Sequence, residues 1–135
     1  MRRPVLLALF TCSLALTACG GSDSSTAESE HENASPATAR KEDGETRDAL
    51  NAALATYKNG DQKAAAEQVA EAYVSHFEEL EGPLEDKDSE LMESLEHAIS
   101  DELRSSIKAG KPASEIEAQV KAIRADLDKA EAALQ

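Results

Sequence analysis

The chain has 135 residues, a formal net charge of −13, 3% aromatic residues and no Trp. That length holds one small domain. The charge argues against nucleic acid, whose phosphates recruit basic proteins, and against lying flat on an anionic lipid surface, while leaving cations or a basic partner as fitting ligands.

Taken in chain order, Arg2-Arg3 opens the sequence and an apolar run from Pro4 to Leu16 follows. At roughly 13 residues the run is shorter than the ~20 a spanning helix needs. Leu16-Thr17-Ala18-Cys19 closes it with small residues before a cysteine. The arrangement resembles the signal sequence of a bacterial lipoprotein. The resemblance implies cleavage after Ala18, a diacylglyceryl thioether on Cys19 and further acylation of the new amino group by palmitate-type chains. Two or more acyl chains anchor stably where one is marginal. The alternative is an ordinary cleaved signal with Cys19 merely nearby. Arg2-Arg3 lacks the surrounding run of a twin-arginine signal. Cys12 falls in the removed segment, so no disulfide is expected.

Residues 19–44 show no apolar period and few large apolar side chains. They read as the lipidated cysteine and a flexible acidic tether, about 25–30 Å in r.m.s. span. His31, between Glu30 and Glu32, offers at most a weak metal contact there.

From residue 45 to 135 the pattern is helical. Helix one is expected over 45–59, with Leu50, Ala53, Leu54 and Tyr57 on one face. Asn59-Gly60 ends it and Asp61 caps the next. Helix two carries Val69, Tyr73, His76 and Leu80, widened by Ala65, Ala72 and Phe77, until Gly82-Pro83 breaks or kinks the chain. Asp88 caps a third helix that carries Leu91, Leu95, Ile99, Leu103 and Ile107. Gly110 and Pro112 stop that helix. Ser114-Glu115-Ile116-Glu117 has capping-box form. Behind it Ile116, Val120, Ile123, Leu127, Ala130 and Leu134 make a seam of heptad spacing. The expected fold is all-α: a small up-down four-helix bundle with an Ala-rich core.

No nucleophile constellation, phosphate-binding loop or zinc-type cysteine pair is present, so no enzymatic activity is expected. The candidate chemistry is a metal site made by His76, Glu79, Glu93 and His97. If the second and third helices pair about residues 81–88, His76 faces the level of Glu93. Carboxylates and imidazoles projected from facing helices are how bundle metal sites are built, and that donor set suits iron, manganese or zinc. The competing reading is a core histidine beside a solvated acidic face, with Tyr73 and Phe77 either packed in the core or docking a partner.

Tyr57-Lys58-Asn59-Gly60-Asp61, Ala72-Tyr73, Phe77-Glu78, Glu81, Leu95-Glu96 and Asp126-Leu127-Asp128-Lys129-Ala130 together carry a second resemblance. They resemble the extracytoplasmic N-terminal helical domain of bacterial high-affinity iron permeases, over about residues 45–135. The resemblance implies an iron-uptake setting outside the cytoplasm and a permease or related uptake protein as partner. The permease's paired Arg-Glu-x-x-Glu motifs do not occur: His76-Phe77-Glu78-Glu79-Leu80-Glu81 lacks the Arg. Transport activity itself is therefore not implied. The expectation is an envelope lipoprotein, on the plasma or outer membrane, that serves iron uptake as an accessory or metal-binding component. The alternative is a helical interaction or structural lipoprotein with no metal.

Overall fold

A computed structural model describes residues 34–135. The signal segment, Cys19 and His31 lie outside the described residues. Every regular element among the described residues is helical: α1 (Pro36–Lys58), α2 (Gln62–Ala72), a π-helical turn (Tyr73–Phe77), α3 (Glu78–Glu96), a second π-helical turn (His97–Leu103), α4 (Arg104–Lys108) and α5 (Ala113–Ala133). They form three helical stretches, because α2 through α4 run on without an intervening loop.

α1 begins nine residues before the expected start at Glu45 and takes in residues 36–44, which sequence reading assigned to the tether. Ser35 caps it, accepting from the Thr38 N–H at 3.2 Å, and Pro36 occupies the first turn. Proline suits that position because its missing N–H would have had no helical partner. Ala39, Asp43, Thr46, Leu50 and Ala53 are the buried positions of α1, at spacings of four and three. The seam is made of small and polar side chains at its N-terminal end, which is why apolar periodicity did not reveal it.

Asn59 and Gly60 end α1 as expected, and Gly60 has φ 93°, a conformation costly for residues with a Cβ. The Asp61 carboxylate then accepts from the Ala64 N–H at 2.9 Å. Downstream the buried positions are Ala65, Ala66, Val69, Ala72, Phe77, Leu80 and Leu84. The step from Ala72 to Phe77 is five residues, and it coincides with the first π turn. An i→i+5 turn holds one extra residue. It rotates Phe77 into the core and moves Tyr73 and His76 to its margin.

Gly82-Pro83 does not break the chain; both residues lie inside α3. The break is at Asp88, with φ −156° and ψ 84°, and its carboxylate accepts from the Leu91 N–H at 3.0 Å as an N-cap. The chain reverses direction within this stretch. The Gln62 amide donates to the Lys108 carbonyl at 2.7 Å although the two are 46 residues apart. A straight helix of that length would separate them by about 69 Å.

Leu95, Ile99, Leu103 and Ile107 are buried at steps of four. In an α-helix each such step drifts about 40°. The second π turn, His97–Leu103, absorbs the drift and keeps these side chains in line. Gly110, φ 68°, starts the last turn. α5 starts at Ala113 with Pro112 as its cap residue, so the capping box on Ser114 does not form, and Glu117 pairs with Lys58 at 2.9 Å instead. Ile116, Val120, Ile123, Leu127, Ala130 and Leu134 are all buried.

α5 lies antiparallel to α1. Arg40 donates to the Leu134 carbonyl at 2.9 Å, Arg47 reaches Asp128 and Glu131, Arg124 reaches Asn51 at 3.3 Å, and Tyr57 donates to the Lys111 carbonyl at 2.5 Å. Within this seam Asp43 is 1% exposed, its Oδ2 is 2.6 Å from Arg47, and its Oδ1 has no hydrogen-bond partner. Burial pushes the Asp43 carboxyl up to about 6, against the pull of Arg47 and with Glu131 and Asp128 adding to the rise.

Candidate metal centre

Glu42 and Glu45 sit three residues apart on α1, so their side chains share a face. His76 comes to them from the first π turn. Its Nδ1 is 2.8 Å from Glu42 Oε2 and 3.5 Å from Glu45 Oε2. One ligand atom from each of the three residues falls within 4.8 Å of the others. The side chains are 13%, 45% and 26% exposed for Glu42, Glu45 and His76, so the group opens to solvent on one side. Among the described residues it is the group of at least three His, Cys, Asp or Glu side chains with metal-binding spacing.

Lys41 bounds the group on its other side. Its ammonium is 2.9 Å from Glu42 Oε1 and 2.7 Å from Glu45 Oε1. Each carboxylate therefore gives one oxygen to Lys41 and turns the other toward His76. The Lys41 contact first, and the His76 contact after it, hold the Glu42 carboxyl below its ordinary value. The two carboxylates raise the Lys41 ammonium in return.

Of the residues picked out from sequence, His76 belongs to the site and the others do not join it. Glu79 and Glu93 are exposed. His97 is 64% exposed and pairs along its own helix, 3.2 Å from Asp101 and 3.5 Å from Glu102. His76 faces α1 and not the Glu93 level because the π turn rotates it away from the stripe in which regular helical spacing places it. Phe77 is fully buried, which makes it a core residue and removes it as a docking side chain. Tyr73 is half-buried, its ring centroid 5.6 Å from that of Phe77, and its hydroxyl is 2.5 Å from Glu81 Oε1. Burial, and then Glu81, raise the Tyr73 phenol above its ordinary range.

Glu42 was missed because it lies in the segment with the composition of a tether, and Glu45, at the start of the expected helix, because no local spacing pairs it with His76. Ser35-Pro36, a cap followed by a first-turn proline, was the signal that a helix starts there.

Two carboxylate oxygens and an imidazole nitrogen form a donor set for a first-row transition ion. Ligand atoms around a tetrahedral ion at usual bond lengths stand about 3.4 Å apart. The His76–Glu45 separation of 3.5 Å already matches, while the 2.8 Å His76–Glu42 contact must open slightly. Compared with known proteins, the chain matches no family model, no curated protein and no solved structure. No helix among the described residues is long and apolar enough to cross a membrane.

Proposed function

We propose that this protein is a lipid-anchored, non-enzymatic helical protein of the cell envelope that binds iron or a related ion through Glu42, Glu45 and His76 and serves iron uptake as an accessory component. The observation that carries the reading is the convergence of two carboxylates and an imidazole from separate helical stretches on one partly open spot. The Cys19 anchor and the resemblance to the iron-permease domain supply the setting, with a permease or related uptake protein as the partner. In this reading the body is an up-down bundle of four helical segments, divided at Asn59-Gly60, Asp88 and Gly110. Support for that division comes from the cap at Asp88 and the return of Lys108 to Gln62.

A second reading is favoured by Lys41. Its ammonium already bridges both carboxylates, so the same four side chains serve equally as a metal-free ionic clasp between α1 and the π turn. The protein is then a helical interaction or structural lipoprotein.

Radioactive iron accumulation by cells carrying the wild-type chain, His76→Ala or Cys19→Ser decides between them. The metal reading expects both variants to lower uptake while the chain is still made. Uptake equal to wild type in both would remove the protein from iron acquisition.

A further inference from the structure

The groove between α2 and α4 shares no residue with the candidate metal centre and carries a charge opposite to that of the protein as a whole. It has a volume of about 570 Å³ and is lined by Gln62, Lys63, Ala66, Glu67, Arg104 and Lys108, with Ala70 completing its floor. That volume lies within the range of small-molecule sites. On a chain of net charge −13 it gathers three cations and one carboxylate. The carboxylate, Glu67, is neutralised by Lys63 one helical turn before it. Among the described residues, Arg104 and Lys108 have no carboxylate partner, and the Arg104 Nε is buried with no acceptor.

Arg104 and Lys108 are four residues apart and project from one face of α4. From α2, Ala70 and the nearly buried Ala66, also four apart, line the groove with methyl groups. One wall is thus cationic and the floor is shallow and apolar. A guanidinium offers a planar fork that matches a carboxylate, and a neighbouring ammonium adds a point charge without dictating geometry. An inorganic anion would use the wall and waste the floor. A neutral apolar compound would leave the cations unmatched.

We infer that this groove binds a small organic carboxylate with an apolar body, its carboxylate on Arg104 and Lys108 and its apolar part over Ala66 and Ala70.

Benzoate is the probe, titrated into the full chain while amide shifts are followed by NMR, with inorganic phosphate as the control anion. Saturable shifts at Ala66, Ala70, Arg104 and Lys108 are expected, with phosphate binding at least about tenfold more weakly because it gains nothing from the floor. Lys108→Gln, on an exposed side chain, should weaken benzoate several-fold with an unchanged melting temperature. Arg104→Gln should weaken it about tenfold or more by removing the fork. The proposal is overturned by shifts that do not saturate, by equal binding of phosphate and benzoate, or by a Lys108→Gln protein that folds and binds benzoate like wild type.

Discussion

His76 Nδ1 stands 2.8 Å from the Glu42 carboxylate, a contact between residues 34 apart in sequence. It ties the first π turn to a part of α1 whose composition looks like linker. The extra residue of the π turn makes the contact possible, since it brings His76 to the core margin while Phe77 takes the buried place.

Lys41 competes with any cation for the Glu42 and Glu45 oxygens. Glu42 has a lowered pKa in the folded chain, so its contribution to stability is present above its ordinary value of 4.5 and is lost as pH falls through the folded value. Lys41→Met should raise the Glu42 pKa, read by carboxyl carbon NMR, and move that loss to higher pH. It should also tighten metal binding. A Glu42 titration unchanged by Lys41→Met would show that the contact is not kept in solution.

Asp43 behaves with the opposite sign. Its folded pKa is raised from 3.8 to about 6, so the folded chain holds the proton more tightly than the unfolded one. Its contribution is fully present below its ordinary value and is lost as pH rises toward 6. The size is on the order of 3 kcal/mol. Asp43→Asn cannot titrate there. Urea unfolding between pH 4 and pH 7 should show the wild type losing stability relative to Asp43→Asn as pH rises. Parallel pH profiles would refute the burial effect.

Phe77 is the largest fully buried side chain among the described residues. Phe77→Ala should cost about 3–5 kcal/mol in urea unfolding, a large share of the ~5–15 kcal/mol of a typical domain. A loss below about 1 kcal/mol, within the range of surface substitutions, would mean that the π turn does not seat Phe77 in the core.

Asp88 divides the helical stretch between Gln62 and Lys108. Asp88→Ala removes the acceptor for the Leu91 N–H and should cost about 1 kcal/mol. Pro83→Ala, inside α3, should leave the reversal in place, because Pro83 is not where the backbone departs from helix. If Asp88→Ala is neutral and Pro83→Ala is disruptive, the hinge is at the proline.

How far the sequence could be read depends on local spacing. The α5 seam was fully legible, since Ile116 to Leu134 alternate steps of four and three and all six are buried. Gly60, Asp61 and Asp88 were legible because caps and left-handed residues are local chemistry. The two π turns were not, as they change the period inside a helix without any marker residue. That one change misassigned the partners of His76, toward Glu79, Glu93 and His97 and away from α1. The start of α1 was hidden for a different reason: Ala39, Asp43 and Thr46 are buried, yet none is a large apolar residue. The candidate metal centre was thus half visible, through its histidine and not through its carboxylates.

Calorimetric titration of the full chain with ferrous, ferric, manganese and zinc ions tests the metal centre most directly. At least one ion should bind at a one-to-one ratio, and His76→Ala and Glu42→Gln should each weaken it by about tenfold or more. If none of the four ions gives saturable heat, or if both variants bind like wild type, Glu42, Glu45 and His76 do not form a metal site.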